Sequence, residues 1–115
     1  MTFGNCCGRW IGTEIPPIDA EALMRSRYTA FVLEHEAYLL HTWQAAHRPP
    51  AIAFEPGVKW LGLEVRAHRL LDETHAEVEF VARQKPAQGP AFRLHERSRF
   101  VKEGAQWRYT DGDML

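Results

Sequence analysis

The chain of 115 residues is poor in cysteine: it has two, Cys6 and Cys7, adjacent in the sequence and close to its start. Two neighbouring thiols are badly placed for a structural bridge, which usually joins Cα atoms about 5.5 Å apart, so a disulfide scaffold is excluded. No apolar run approaches the roughly 20 residues of a membrane span, and the first residues lack the basic-then-apolar pattern of a secretory signal. A cytoplasmic protein is therefore expected. Net charge is almost absent too: 14 Lys and Arg stand against 15 Asp and Glu, a formal charge of -1. No global field gathers nucleic acid or anionic lipid, and such a partner would need a local patch. The chain has no GxSxG, P-loop, GxGxxG or HExxH, which removes the commonest hydrolase, nucleotide-binding and helical zinc signatures. Its six histidines (35, 41, 47, 68, 75 and 95) contain no i, i+4 pair.

What remains is the composition of one ordinary domain, 45% hydrophobic and 25% charged, long enough to bury a core without staples. The first twelve residues and the "TEIPP" that follows form a short appendage and an extended connector, since consecutive prolines forbid helix. Asp19 sits where an N-cap belongs. Met24, Tyr28 and Phe31 recur at helical spacing behind it, predicting a helix over roughly 20–33. "HEAYLLHTWQAA" repeats the pattern and predicts a second helix ending near Ala46, stopped by the prolines beyond.

After Gly57 the period changes to two. "VKWLGLEVRAHRL" sets Leu61, Leu63, Val65 and Ala67 against Trp60, Gly62, Glu64, Arg66 and His68. "AEVEFVAR" sets Val78, Phe80 and Ala82 against charge, "AFRLHERSRFV" does so with Phe92, Leu94, Glu96, Ser98 and Phe100, and "QWRYTD" offers Trp107 and Tyr109. The expected architecture is α+β: two helices on a four-strand antiparallel meander. A four-residue "DETH" loop would pair Leu71 with Ala76, Ala67 with Phe80, Glu64 with Arg83 and His68 with Glu79. A loop centred on Gln88 would set Glu79 opposite Arg97, Glu77 opposite Arg99 and Phe80 opposite Glu96. A Glu103-Gly104 turn would set Phe100 opposite Trp107 and Ser98 opposite Tyr109. These registers gather the apolar residues on one face. They line Arg83, Arg97 and Arg99 up with glutamates on the other, so the basic "HERSR" reads as a self-neutralised surface, and a nucleic-acid partner is not expected.

Glu96 and Ser98 interrupt the apolar row, with Tyr109 beside them. A carboxylate there must be paired or protonated, because an isolated buried charge costs several kcal/mol. Arg25 and Arg27 on the first helix are the available partners, and a Glu96-arginine bridge locking helix to sheet is one reading. The other is a ligand pocket formed by Arg25, Arg27, Tyr28, Trp43, Phe80, Glu96 and Ser98. In it Glu96 would act as general base, Tyr109 or His41 as hydrogen-bond donor, and Trp43 and Phe80 as apolar walls.

"EALMRSRYTAFVL", "TW", "WLGLEV", "EFVAR", "LHERSRF" and "WRYTDG", in that order, closely resemble the YchJ family of small bacterial proteins. The resemblance implies a cone-shaped nuclear transport factor 2-like fold over residues 18–112, with helices packed into a curved sheet, and an uncharacterised activity. It also implies a zinc-binding SEC-C motif at the N-terminus. Within it "CCG", Cys6-Cys7-Gly8, matches the second half, so residues 1–17 would be the remnant of a knuckle and its Pro-rich connector. A closed zinc site wants four ligands. Cys6 and Cys7 are a half-site, no cofactor is expected in this chain as it stands, and zinc would require a further CxC pair upstream. The expected function is a non-enzymatic binding or adaptor module, for a protein partner or small ligand and possible as a homodimer. The alternative is a small-molecule enzyme or ligand-binding protein working inside the cone.

Overall fold

The structure is a computed structural model and describes residues 19–115, so the readings of residues 1–17, Cys6 and Cys7 included, lie outside the described residues. Helix α1 spans Ala20–Val32, and Asp19 caps it as its position predicts, its side chain accepting the Ala22 N–H at 2.7 Å. Three to four residues apart, Ala20, Leu23, Met24, Arg27 and Ala30 form the buried stripe, while Tyr28 and Phe31 flank it half-buried. The helix ends at Leu33, where Glu34 takes a left-handed φ of 54° and the His35 N–H donates back to the Ala30 carbonyl at 2.8 Å.

Helix α2, Glu36–His41, is shorter than the spacing predicts. Apolar periodicity continues to Ala46, but the backbone finds a better partner. The Tyr109 N–H donates to the Thr42 carbonyl at 2.8 Å, and the Gln44 N–H donates to the Tyr109 carbonyl at 2.7 Å. Trp43 is thereby drawn out as an isolated parallel bridge beside the last strand. A tertiary hydrogen-bonding edge has overridden local propensity.

The strands are β1 Lys59–Leu70, β2 His75–Lys85, β3 Phe92–Glu103 and β4 Gln106–Met114, paired antiparallel in the order β1-β2-β3-β4. The β2–β3 register is the predicted one: Glu79 opposes Arg97, Glu77 opposes Arg99 and Phe80 opposes Glu96. At β1–β2 the expected pairs are replaced. Leu70, not Leu71, pairs with Ala76. Ala67 faces Glu79, His68 faces Val78, Glu64 faces Val81 and Val65 faces Phe80, with irregularities between Trp60 and Gly62 and between Val65 and Ala67. Each bulge inserts one residue and so reverses the side-chain phase beyond it. The middle of β1 keeps Leu63 and Val65 inside as expected, whereas Trp60 enters the core side and Leu61 is left exposed.

At β3–β4 the turn lies one residue later than expected, after Glu103 pairs with Gln106, and Phe100 opposes Tyr109. Gly104 takes the positive φ of 64° that the turn demands. Moving a turn by one residue shifts the register by two, so Trp107 and Tyr109 still point inward. A further bulge beside Arg99 and Phe100 then sets Ser98 opposite Gly112, not Tyr109.

Leu23 and Met24 of α1 pack on Val78, Phe80, Ala82, Phe100 and Trp107, and a smaller cluster joins Ala30, Tyr38 and Leu39 to Phe31, Ile52 and Phe54. Each fully buried large side chain contributes roughly 1.5–3 kcal/mol of transfer free energy. Because α1 touches β1, β2 and β4, both edges of the sheet curl toward it. The outer face carries the charge, and of the three expected glutamate–arginine pairs the one between Glu79 and Arg97 forms. Glu79 meets Arg97 at 4.0 Å and His95 at 2.9 Å. Arg99 turns from Glu77 to Asp111 and Asp113, at 2.6 and 2.7 Å. Arg83 faces Arg93 in the β2–β3 register and loses Glu64 on its other side, since the β1 irregularity sets Glu64 opposite Val81, where it meets Arg66.

Candidate functional site: the cavity inside the curled sheet

The curl leaves a cavity of about 590 Å³ between α1, the loop before β1 and the concave face of the sheet. Its lining includes Arg27, Tyr28, Trp43, Phe80, Glu96, Ser98 and Tyr109, so most residues singled out in the sequence converge there. Two do not. Arg25 extends to Glu21 one turn earlier, at 3.1 Å, because a step of two from Arg27 turns it to another side of the helix. His41 is exposed at the end of α2, where its backbone carbonyl accepts a hydrogen bond from Arg108. Two residues from buried Leu39, His41 falls on the opposite side of α2.

The polar end of the cavity is built on β3 and β4. Ser98 and Glu96 share a strand face, two residues apart, and the Ser98 hydroxyl donates to Glu96 Oε2. Tyr109, from β4, donates its phenol to the same oxygen at 3.4 Å. Burial, reinforced by the nearby Glu96 charge, pushes the Tyr109 hydroxyl up to about 12, so it stays a donor at neutral pH. Room for the carboxylate comes from Gly112: a Cβ built there would lie 2.5 Å from Glu96 Oε2 and 2.8 Å from its Cδ. The glycine of "WRYTDG" is thus a requirement of the site that alternation alone did not reveal.

The expected bridge between Glu96 and an arginine does not form. Arg27 is 5% exposed, and both of its hydrogen bonds leave from Nη1, to the Leu39 carbonyl at 2.8 Å and to Thr42 Oγ1 at 2.7 Å. Its guanidinium carbon lies 4.6 Å from the Tyr109 ring centre and 5.1 Å from that of Trp43. Desolvation lowers its pKa to about 10, which leaves it charged at neutral pH. The cation is therefore held by neutral acceptors and two aromatic faces, while the carboxylate is held by two hydroxyls.

The rest of the lining is apolar and aromatic. Trp60, carried inward by the first β1 bulge, stands edge-on to Tyr28 at 5.6 Å and beside Phe31 at 5.9 Å. Phe54, from the Pro-rich connection before β1, joins the wall through Phe31. Nothing in the local pattern marks Phe54 beyond its being aromatic. Trp60 was assignable only once the bulge was known. The indole N–H of Trp43 is buried without a partner among the described residues, as is Nε2 of His68, whose Nδ1 lies 3.8 Å from Glu21. No group of three or more possible metal ligands occurs among the described residues, and no helix among them is long and apolar enough to cross a membrane.

Two helices on a curled four-strand antiparallel sheet, enclosing a cavity with a polar inner end, define an α+β domain of the nuclear transport factor 2-like class. The family model described as the YchJ middle NTF2-like domain matches residues 19–112, and the chain belongs to that family. A UPF0225 protein of Polaromonas sp. is 65% identical over 98% of this chain and 83% of its own length, and one of Bordetella pertussis is 53% identical over 97% and 86%. Among solved structures, a SEC-C motif containing protein from Rhodopseudomonas palustris superimposes with a TM-score of 0.89 at 30% identity, covering 99% of this chain and 92% of that one. A second, from Psychrobacter arcticus, gives 0.80 at 33% identity, over 96% and 71%.

Proposed function

We propose that the domain is a small-molecule-binding module whose ligand occupies the cavity inside the curled sheet. One observation carries this reading: about 590 Å³ of aromatic-walled space ends on a carboxylate held by two hydroxyls and on a guanidinium that forms no bridge to it. Cavities of this size and make-up suit compact organic ligands, with apolar walls supplying affinity and a few polar groups fixing orientation. Binding is favoured over proton transfer by Glu96, because Ser98 and Tyr109 both donate to its Oε2, so a proton taken there would displace a hydrogen bond already made.

Similarity to two SEC-C motif containing proteins supports a separate role for Cys6 and Cys7 as half of a zinc site, with the remaining ligands supplied from elsewhere. The binding reading is tested by screening a library of small aromatic and alicyclic compounds for a rise in Tm, with Glu96→Gln as control. Hits whose NMR shifts map to Trp43, Trp60 and Ser98 support it. A screen whose hits all map to the outer sheet face refutes it.

A further inference from the structure

Arg27 is the buried charged side chain among the described residues, and it has no ion-pair partner among them. A guanidinium has five N–H donors, and the two hydrogen bonds of Arg27 both leave from Nη1 to uncharged acceptors. Among the described residues the donors on Nε and Nη2 have no acceptor and no carboxylate stands within ion-pair distance, yet the side chain is 5% exposed and lines the cavity. Buried charges in folded proteins are paired, because an uncompensated one costs several kcal/mol even after relaxation. The protein's own candidate, Glu96, is held away. Tyr109 offers its ring to the guanidinium and its hydroxyl to Glu96 Oε2, so one side chain touches both charges while they form no bridge.

A planar fork with free donors, desolvated and aimed into a cavity, is a receptor for a carboxylate or a similar oxyanion. Resting on the cavity reading above, we infer that the ligand is a small organic anion: a carboxylate or comparable oxyanion received by Arg27, on a largely apolar ring or chain. Met24, Phe31, Phe54, Trp60 and Phe80 would enclose that body. Glu96 then sets a second condition, since a bare anion close to it is repelled. A hydroxyl or amine N–H on the ligand, donated to Glu96, turns that repulsion into a contact, which selects acids carrying a donor near the anionic group.

The test uses the 115-residue chain and three probes with one body, 2-naphthoate, 2-naphthalenemethanol and 2-naphthylmethylammonium, titrated by calorimetry with NMR to locate each. The expected result is that naphthoate binds at least about 10-fold tighter than either other probe. Arg27→Lys keeps the charge but not the fork, and should bring the naphthoate-to-alcohol affinity ratio down toward 1. Glu96→Gln leaves Arg27 intact and should tighten naphthoate a few-fold; it serves should the lysine variant fail to fold. Alcohol or ammonium binding in the cavity as tightly as naphthoate overturns the anion assignment and leaves the cavity reading standing. Failure of all three to shift cavity resonances overturns both.

Discussion

Replacing Gly112 with alanine separates the site described here from an ordinary strand. Gly112 does not hold a positive φ, so alanine fits the backbone, and a glycine in mid-strand normally costs about 0.5–1 kcal/mol relative to alanine. Local reasoning therefore predicts a small stabilisation. The tertiary structure predicts the opposite, because the new Cβ would lie 2.5 Å from Glu96 Oε2, 2.8 Å from Cδ and 3.0 Å from Cγ. Glu96 must swing away, giving up the hydroxyls of Ser98 and Tyr109. Overpacking costs about 1–3 kcal/mol, so after the backbone gain Gly112→Ala is destabilised by about 1–2 kcal/mol. In a domain of this size that is a fall in Tm of about 4–8 °C. Urea denaturation of the single and double variants with Glu96→Ala isolates the cause. Without the carboxylate the clash disappears, and the second substitution becomes neutral or stabilising, a coupling of about 1–3 kcal/mol. A Gly112→Ala protein as stable as the parent, or losses that simply add, would refute the placement of Glu96 against β4.

Two further outcomes concern protonation. Tyr109 should titrate well above an ordinary tyrosine, at about 12; because burial and Glu96 favour its neutral form, its contribution to stability is complete below about pH 10 and is lost as pH rises toward 12. Ultraviolet titration at the phenolate band follows it, and Glu96→Gln should bring it down; no change on that substitution would exclude the contact. On the acid side, hydrogen bonding from Arg99 holds the Asp113 carboxyl below its ordinary value, as hydrogen bonding from His95 does that of Glu79. Depressed carboxylates stabilise above about pH 4 and lose that contribution as pH falls through their folded values. The stability gap between the parent and Asp113→Asn should therefore close between about pH 4 and 2, and a gap independent of pH would count against the Arg99 network.

Much of the architecture was legible in local order. The Asp19 cap, the switch from helical to alternating period after Gly57, and the β2–β3 register followed from chemistry that acts over a few residues. So did the inward placement of Phe80, Glu96, Ser98 and Tyr109. Each misjudged feature turned on a competition that local patterns do not contain. Two bulges reversed the phase at both ends of β1, bringing Trp60 in and leaving Leu61 out. The Tyr109 backbone drew Thr42 and Trp43 out of α2.

The sequence by itself determined the class of fold, the family and the face on which a carboxylate, hydroxyls and one arginine would gather, because alternation and helical spacing assign faces whatever packs on them. Only the tertiary structure decided how those groups meet. Arg27 is anchored to Leu39 and Thr42, Glu96 to Ser98 and Tyr109, and Gly112 makes the room. Whether two opposite charges on one face neutralise each other or stand apart around a cavity depends on distances of a few ångströms between elements far apart in the chain, which no periodicity encodes.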